Sequence, residues 1–123
     1  MNKVQIAGNV GGDPELRYTP QGKAVVSFSV AIQKGFKDSN GTWQEKDPIW
    51  VDVTAWEGLA ENIAETITTG MRVVVYGKLE VDKWEDKNDG TKRSKTYVVA
   101  EEVSPSLRWA TANVDKQQKA SVS

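Results

Sequence analysis

Residues 49–56 constrain the fold more than any other segment of the chain. Aliphatic residues alternate with aromatic or polar ones along IWVDVTAW, which predicts a β-strand with two unlike faces. One face is apolar and suits a core: Ile49, Val51, Val53 and Ala55. The other face carries Trp50 and Trp56, separated by Asp52 and Thr54. Such a face suits the stacking of unpaired nucleic-acid bases, and a second core or a subunit interface is the alternative.

Three more aromatic residues lie in or beside strand-like runs, namely Phe36, Trp43 and Trp84. The overall charge does not favour a nucleic-acid partner, because 16 basic residues face 17 acidic ones. Any such surface must therefore be a local basic groove. No apolar run approaches the length of a membrane helix and no signal peptide is evident. We expect one cytoplasmic, nucleoid-associated domain that does not contact a membrane.

The residue types argue for binding rather than catalysis. The chain has no histidine and no cysteine, so the usual general base, the thiol nucleophile and disulfides are all missing. Glu57, Glu61 and Glu65 form a row on one face of a predicted helix, which is the ordinary pattern of a solvated face. We therefore expect no catalytic residue, no metal and no cofactor.

Alternation and turn residues divide the chain into elements. The predicted strands cover residues 2–10, 23–34, 49–56, 72–84 and 95–103. Leu59, Ile63 and Ile67 recur every fourth position, which predicts a helix over residues 57–69 that ends at Gly70. Two turn-rich stretches complete the pattern, a polar loop at residues 35–48 and a hairpin turn at residues 87–90. The other predicted core-facing residues are Val26, Phe28, Val30, Ile32, Val73, Val75, Leu79 and Val81.

Three strands, a helix and a long two-stranded hairpin follow one another in the order typical of an OB-fold. This fold is all-β, a five-stranded Greek-key barrel with one helix between its third and fourth strands here, and it binds oligonucleotides or oligosaccharides on one face. Residues 113–123 contain lysine, glutamine and serine but no aromatic residue, which predicts a disordered tail.

Several segments, in order, resemble the bacterial single-stranded DNA-binding protein (SSB) family. They are NKVQIAGNVGGDPELRYTPQGKAVVSFSVA, WQEKDPIWVDVTAWEGLAENIAETITTGMRVVVYGKLE and KWEDKNDG, and VVAEEVSPSLRWATA resembles the actinobacterial branch. The resemblance covers about residues 2 to 112. It implies an OB-fold domain over residues 1–112, a homotetramer, and binding of single-stranded DNA without sequence preference in replication, recombination or repair.

The resemblance also implies which residues meet the DNA. The base-stacking aromatics of the family correspond to Phe36, Trp50, Trp56 and Trp84. For Trp43, in the predicted loop, base stacking, packing on the domain and no role are the alternatives. Candidate phosphate contacts lie near these aromatics or in matching segments: Arg17, Lys34, Lys37, Lys78, Lys83 and Arg93. A solvated surface charge is the alternative for each of them.

The resemblance further implies oligomer contacts. The first strand is expected to pair with its counterpart in another subunit, through Asn2, Lys3, Val4, Gln5 and Ile6. The SPSLRWATA segment is expected to form an extra strand that clamps neighbouring subunits, with Trp109 buried at the interface.

Two departures from the family pattern affect the expected function. Asp52, Gly58 and Thr69 occupy positions where a basic residue is common, so we expect weaker binding and a shallower salt dependence. The chain ends in VDKQQKASVS rather than an acidic tip with Pro-Phe, so recruitment of repair and replication enzymes is doubtful. A specialised paralog and a truncated chain both fit this ending.

Three other functions remain open at this point. The aromatic face suits a primosome-like OB-fold adaptor that contacts protein. Because stacking does not sense the 2′-hydroxyl, it also suits an RNA-binding coat protein. A nuclease that uses a carboxylate-bound metal is the third alternative.

Overall fold

A five-stranded barrel forms the body of the molecule, and two long hairpins extend from it. The computed structural model describes residues 1–117. Its elements are β1 (Val4–Val10), β2 (Glu15–Tyr18), β3 (Ala24–Lys37), β4 (Trp43–Trp56), α1 (Glu57–Thr66), β5 (Arg72–Glu85) and β6 (Lys92–Pro105). Within this part of the chain, no helix is long and apolar enough to cross a membrane.

Strand pairing closes the barrel in the Greek-key order of an OB-fold. The neighbours run β1-β5-β6-β4-β3, and β3 returns to β1 at Asn9 and Val10. β4 and β6 pair in parallel at Val53 and Thr54, whereas the other pairs are antiparallel. The helix α1 lies between β4 and β5 in sequence. The predicted OB-fold, with one helix between its third and fourth barrel strands, is therefore confirmed.

The core is made by the inward faces of the barrel strands and one face of α1. Its largest fully buried side chains are branched aliphatic ones, a type that suits pleated strands: Val26, Val30, Val53, Val73, Val75 and Val98 on the strands, and Ile67 just after α1. Ala60 and Ile63 of α1 are also buried against them. The helix closes at Thr66, because Ile67 already has extended backbone while its N–H still bonds to the carbonyl of Ile63.

Several predicted boundaries are wrong by a few residues. The helix ends at Thr66 instead of residue 69, and Gly70, with φ 89°, turns the chain before β5. β1 begins at Val4, because Asn2 instead exchanges two side-chain hydrogen bonds with the backbone of Leu79, both 2.9 Å. β2 was not predicted; only four residues long, it pairs with the start of β3.

The largest errors concern the hairpins. Residues 35–48 were predicted as a polar loop, but they extend β3 and β4 as a hairpin whose turn lies at residues 38–41. The expected core residues Ile49, Leu79 and Val81 are 47%, 46% and 49% exposed. They follow the correct alternation, but they lie where the hairpins have left the barrel, so nothing in residues 1–117 covers them.

Candidate nucleic-acid interface

The outward face of β4 carries two exposed indoles, as the alternation predicted. Trp50 is 59% exposed and Trp56 is 43% exposed. Six residues along a strand correspond to about 20 Å between their Cα atoms. On β3, Ala31 lies opposite Trp50 and Val25 lies opposite Trp56, and between them Ser29 and Ser27 lie opposite Asp52 and Thr54. All four side chains are short, which leaves the ring faces accessible.

A continuous depression connects the two indoles, and we call it the inter-tryptophan groove. Its two halves, of about 480 Å³ and 450 Å³, meet at Ser27, Thr54 and Lys95. The β1–β2 loop and β2 form one wall, and the β5–β6 hairpin forms the other, contributing Asp82, Lys95 and Tyr97. Trp50 lines one half and Trp56 lines the other.

Local backbone geometry fixes the direction of each indole. The ring of Trp50 lies against Gly11, where a Cβ atom would collide with it. Trp56 is the last residue of β4 and caps the helix, with φ −125°. The next residue, Glu57, has φ 59°, a left-handed conformation that costs a non-glycine residue about 1–2 kcal/mol. The chain therefore turns sharply just after the Trp56 ring.

The β5–β6 hairpin continues this surface toward its tip. Residues directly opposite one another share a face, and the pairs are Trp84 with Arg93 and Asp82 with Lys95. Trp84 is two residues from Asp82 on β5, so it lies on the same face of the hairpin as Asp82 and Lys95, which both line the groove. Trp84 is 48% exposed. Lys83 has the opposite parity and therefore points away from this face.

The β3–β4 hairpin separates Phe36 from Trp43. Trp43 pairs with Lys37 and packs its ring on Gly35. On β3, Lys37 has the same parity as Ala31, which pairs with Trp50. The register shift between Ile32 and Lys34 therefore places Trp43 on the face of Trp50, although the two tryptophans are seven residues apart on β4. Phe36 has the other parity and lies under the ammonium group of Lys46, 5.3 Å from its ring centre. Both rings are about half exposed. Register thus groups Trp43, rather than Phe36, with the groove face.

The predicted phosphate-contacting residues divide into free and paired cations. Lys78 lies 3.6 Å from Glu80, and Arg93 lies 3.0 Å from Asp86 and 3.4 Å from Asp89. Across residues 1–117, the remaining candidates form no ion pair: Arg17, Lys34, Lys37 and Lys83. Arg17 lines the Trp56 half of the groove, whereas the three lysines lie on the hairpins.

One polar pair at the centre of the groove was not predicted from the sequence. The carboxylate of Asp52 accepts a hydrogen bond from the Ser29 hydroxyl at 2.9 Å, and its second oxygen lies 3.7 Å from the Lys95 ammonium. Lys95 comes from β6, which lies beside β4 only through the long-range parallel pairing. The alternating pattern identified Asp52, but no local signal identified its partner.

Two tyrosines of the groove walls were also missed. Tyr18, 58% exposed, donates its hydroxyl to the Glu61 carboxylate at 3.2 Å, and this negative charge raises the pKa of Tyr18. Tyr97 donates to Asp82 at 3.0 Å, and its pKa is raised by burial and by this carboxylate. Both rings are held in place by a partner on another element, which is why neighbouring residues in sequence gave no indication of them.

The predicted oligomer contacts lie on two separate surfaces. β1 pairs with β5 along its length but meets β3 only at its end, so in the described chain its other edge is open over residues 4–7. Val4 and Ile6 pack partly on the core, Gln5 is exposed, and Lys3 bonds to Glu101 at 3.3 Å. Trp109 is 71% exposed, and the guanidinium groups of Arg72 and Arg108 lie over its ring, 5.1 Å and 4.5 Å from the ring centre.

The predicted clamp strand and tail are not strands of the single chain. Residues 106–117 form no strand, and whether residues 106–112 pair with another subunit stays a prediction. The predicted disordered tail at residues 113–123 lies partly outside the described residues, since residues 118–123 are not among them.

Comparison with known proteins identifies the family. Residues 1–106 match the sequence model of the Single-strand binding protein family. The chain belongs to this family. The match includes β1 to β6 and therefore every strand that forms the barrel and both hairpins. The resemblance seen in the sequence is confirmed.

Relatives in several bacteria support the assignment to the single-strand binding protein family. The chain is 39% identical, over 94% of its length and 70% of the relative, to "Single-stranded DNA-binding protein" of Mycolicibacterium smegmatis. It is 40% identical to the protein of that name from Mycobacterium tuberculosis H37Rv, over 94% of this chain and 71% of the relative. A Deinococcus radiodurans protein of the same name is 44% identical over 89% of this chain and 36% of the relative.

Proposed function

We propose that the chain binds single-stranded DNA without strong dependence on sequence, by stacking bases on the exposed indoles of Trp50, Trp56 and Trp84. The observation that carries this proposal is the placement of Trp50 and Trp56 at the two ends of one groove in a member of the single-strand binding protein family. Every base has a π-face, so such rings accept any sequence, and each stacked base contributes about 1–3 kcal/mol.

The unpaired cations are the proposed phosphate contacts. Arg17 at the groove and Lys34 and Lys37 on the β3–β4 hairpin have no ion pair in the described chain. Arg93 is engaged by two aspartates, so it would have to break both contacts before it met a phosphate. We expect Arg93 and Lys78 to contribute less to the salt dependence of binding than the free cations.

The proposed assembly is a homotetramer. An open strand edge at residues 4–7 favours pairing with another copy, since exposed edges tend to be covered. The exposed Trp109 is a second candidate contact. In this assembly the protein would coat DNA during replication, recombination or repair, in association with the nucleoid. Light scattering coupled to size exclusion measures the assembly independently of DNA binding.

Titration with a dT oligomer tests the proposal. We expect strong quenching of tryptophan emission that weakens as salt rises, with no comparable effect of duplex DNA. Trp50→Ala and Trp56→Ala should each weaken binding by about 1–3 kcal/mol and leave the fold intact, because both rings are exposed. Trp50→Phe and Trp56→Phe are the matched controls, since phenylalanine keeps an aromatic face.

The result that contradicts the proposal is an absence of quenching at low salt together with an unchanged fold. A second candidate, an adaptor that contacts a basic protein surface, would then be favoured. The observation behind it is the charge of the groove lining, where Asp13, Glu15, Asp52 and Asp82 face only Arg17 and Lys95. Competition between matched DNA and RNA oligomers separates the RNA-binding alternative.

A further inference from the structure

The charge of the inter-tryptophan groove decides which part of a nucleotide enters it. Carboxylates outnumber cations among the lining residues, and a phosphate group carries the same charge as a carboxylate. Of the candidate cations without an ion pair in residues 1–117, Arg17 lines the Trp56 half of the groove, whereas Lys34, Lys37 and Lys83 lie outside it, on the hairpins. The bases, which are uncharged, are therefore the part that the groove admits, while the phosphates follow its margins.

Carboxylates inside a base-binding groove act as hydrogen-bond acceptors. Most of those in this groove are already engaged within the protein. Asp13 accepts bonds from the N–H and the hydroxyl of Thr69, at 2.9 Å and 2.8 Å. Asp82 accepts the hydroxyl of Tyr97 at 3.0 Å. These contacts attach both aspartates to other segments of the chain.

Asp52 is the carboxylate best placed to meet a stacked base. It lies two residues from Trp50 on the same face of β4, about 7 Å along the strand. Its side chain remains 47% exposed, although one oxygen accepts from Ser29 and the other lies 3.7 Å from Lys95. A carboxylate offers about four acceptor positions, so these two contacts leave acceptor capacity open toward the groove.

We propose that Asp52 accepts a hydrogen bond from the exocyclic amino group of a base stacked on Trp50, so that the protein prefers amino-bearing bases over thymine. This inference rests on the proposed binding of single-stranded DNA. Cytosine, adenine and guanine each carry an amino donor, whereas thymine presents the O4 acceptor where cytosine has its amino group. A carboxylate attracts the first and repels the second.

Lys95 is a positioning residue in this arrangement. Its ammonium group attracts one oxygen of Asp52, while the hydroxyl of Ser29 bonds to the other, so the two contacts restrain the orientation of the carboxylate. The positive charge of Lys95 also offsets the repulsion between Asp52 and nearby phosphates.

Equilibrium titrations with dC and dT oligomers of equal length test the preference. Both carry the same number of phosphates, so the ratio of their dissociation constants reports the bases and not the charge. At mildly alkaline pH, where cytosine is uncharged, we expect dC to bind about three- to tenfold more tightly than dT. Asp52→Asn should remove or reverse this ratio, because its carboxamide also presents a donor to O4 of thymine.

Asp47→Asn is the matched control. It removes the same charge from the same strand, and Asp47 does not line the groove. We expect it to keep the preference for dC and to strengthen binding of both oligomers slightly. Lys95→Gln should reduce the preference for dC, because it removes one of the two contacts that restrain the carboxylate of Asp52. It should leave the salt dependence almost unchanged, since the phosphates lie at the margins of the groove.

The outcomes separate this inference from the proposed function. Quenching by both oligomers with equal affinities, or with tighter binding of dT, overturns the role of Asp52 and leaves DNA binding intact. A preference for dC that survives in Asp52→Asn also overturns it. Absence of binding by either oligomer contradicts the proposed function itself.

Discussion

The barrel and the two hairpins contain the same strands, yet they use the same side-chain alternation differently. β3, β4, β5 and β6 are each 14 residues long, and in each strand the buried residues lie in the part that belongs to the barrel, while the part in the hairpin contains none. In the barrel, alternation separates a core from a surface. In the hairpins, both faces are open, so an apolar or aromatic side chain there is available to a partner instead of to the core.

Truncating one buried and one exposed isoleucine should give the largest difference in stability between the barrel and the hairpins. Ile63 of α1 is 3% exposed, whereas Ile49 of the β3–β4 hairpin is 47% exposed. Ile63→Ala should lower the free energy of unfolding by about 2–5 kcal/mol, because it leaves a cavity. Ile49→Ala should change it by only about 0.5 kcal/mol. Urea denaturation at one fixed protein concentration measures both.

Similar losses for the two isoleucine variants would contradict the comparison. They would mean that the hairpin is covered in solution, for example by another copy of the chain. Light scattering on the same Ile49→Ala sample then shows whether the assembly has changed.

Adding a methyl group at one of two glycines should change stability by a smaller amount, through steric collision instead of a cavity. A Cβ atom on Gly77, in the barrel, would collide with the carbonyl of Val99 and lie 2.9 Å from the Cα of Ala100. For a Cβ atom on Gly35, in the hairpin, the nearest atoms would be those of the Trp43 ring. Backbone atoms cannot yield as a side chain can, so Gly77→Ala should cost about 1–3 kcal/mol of stability.

Gly35→Ala should instead displace the Trp43 ring, shift its emission, and change stability by about 0.5 kcal/mol or less. Thermal unfolding and the fluorescence of both variants are the measurements. A large loss of stability in Gly35→Ala would show that Trp43 anchors the hairpin and is not free to move toward a ligand.

The sequence predicted the faces of the strands better than their surroundings. Trp50 and Trp56 were placed correctly because parity is a local property of an extended chain. Leu79 and Val81 were misplaced because parity does not reveal where the barrel ends. The pairing of Asp52 with Lys95 depends on two strands that are distant in sequence, so it follows from topology alone.

The candidate site therefore divides into a predictable part and a hidden part. Exposed aromatics on a two-faced strand were visible in the sequence, as was the unusual Asp52 between two of them. The residues that hold the Asp52 carboxylate in place, Ser29 and Lys95, lie on neighbouring strands. At the tip of the β5–β6 hairpin, Arg93 forms ion pairs with Asp86 and Asp89. Composition alone could not indicate these pairs.

Two aspartates, one bonded to a distant segment beside the barrel and one within a hairpin turn, should show the smallest difference in stability between the two regions. Asp13 accepts two hydrogen bonds from Thr69, 56 residues away, and these bonds hold the pKa of its carboxyl below its usual range. Bonds from the N–H of Thr42 and the side chain of Gln44 lower the pKa of Asp38 in the hairpin turn. A lowered pKa means that the charged form stabilises the fold above the unfolded pKa, near 3.8, and that this contribution is lost as the pH falls through the folded pKa.

Asp13→Asn should therefore lower the Tm at neutral pH, and its difference from the unmodified chain should shrink in acid. Asp38→Asn should leave the Tm almost unchanged and speed hydrogen exchange at Thr42, because its bonds span only a few residues of the turn. Calorimetry at several pH values and amide exchange are the measurements. A Tm difference for Asp13→Asn that is the same in acid and at neutral pH would contradict this. It would mean that the negative charge of Asp13 does not contribute to the link between the β1–β2 loop and the segment before β5.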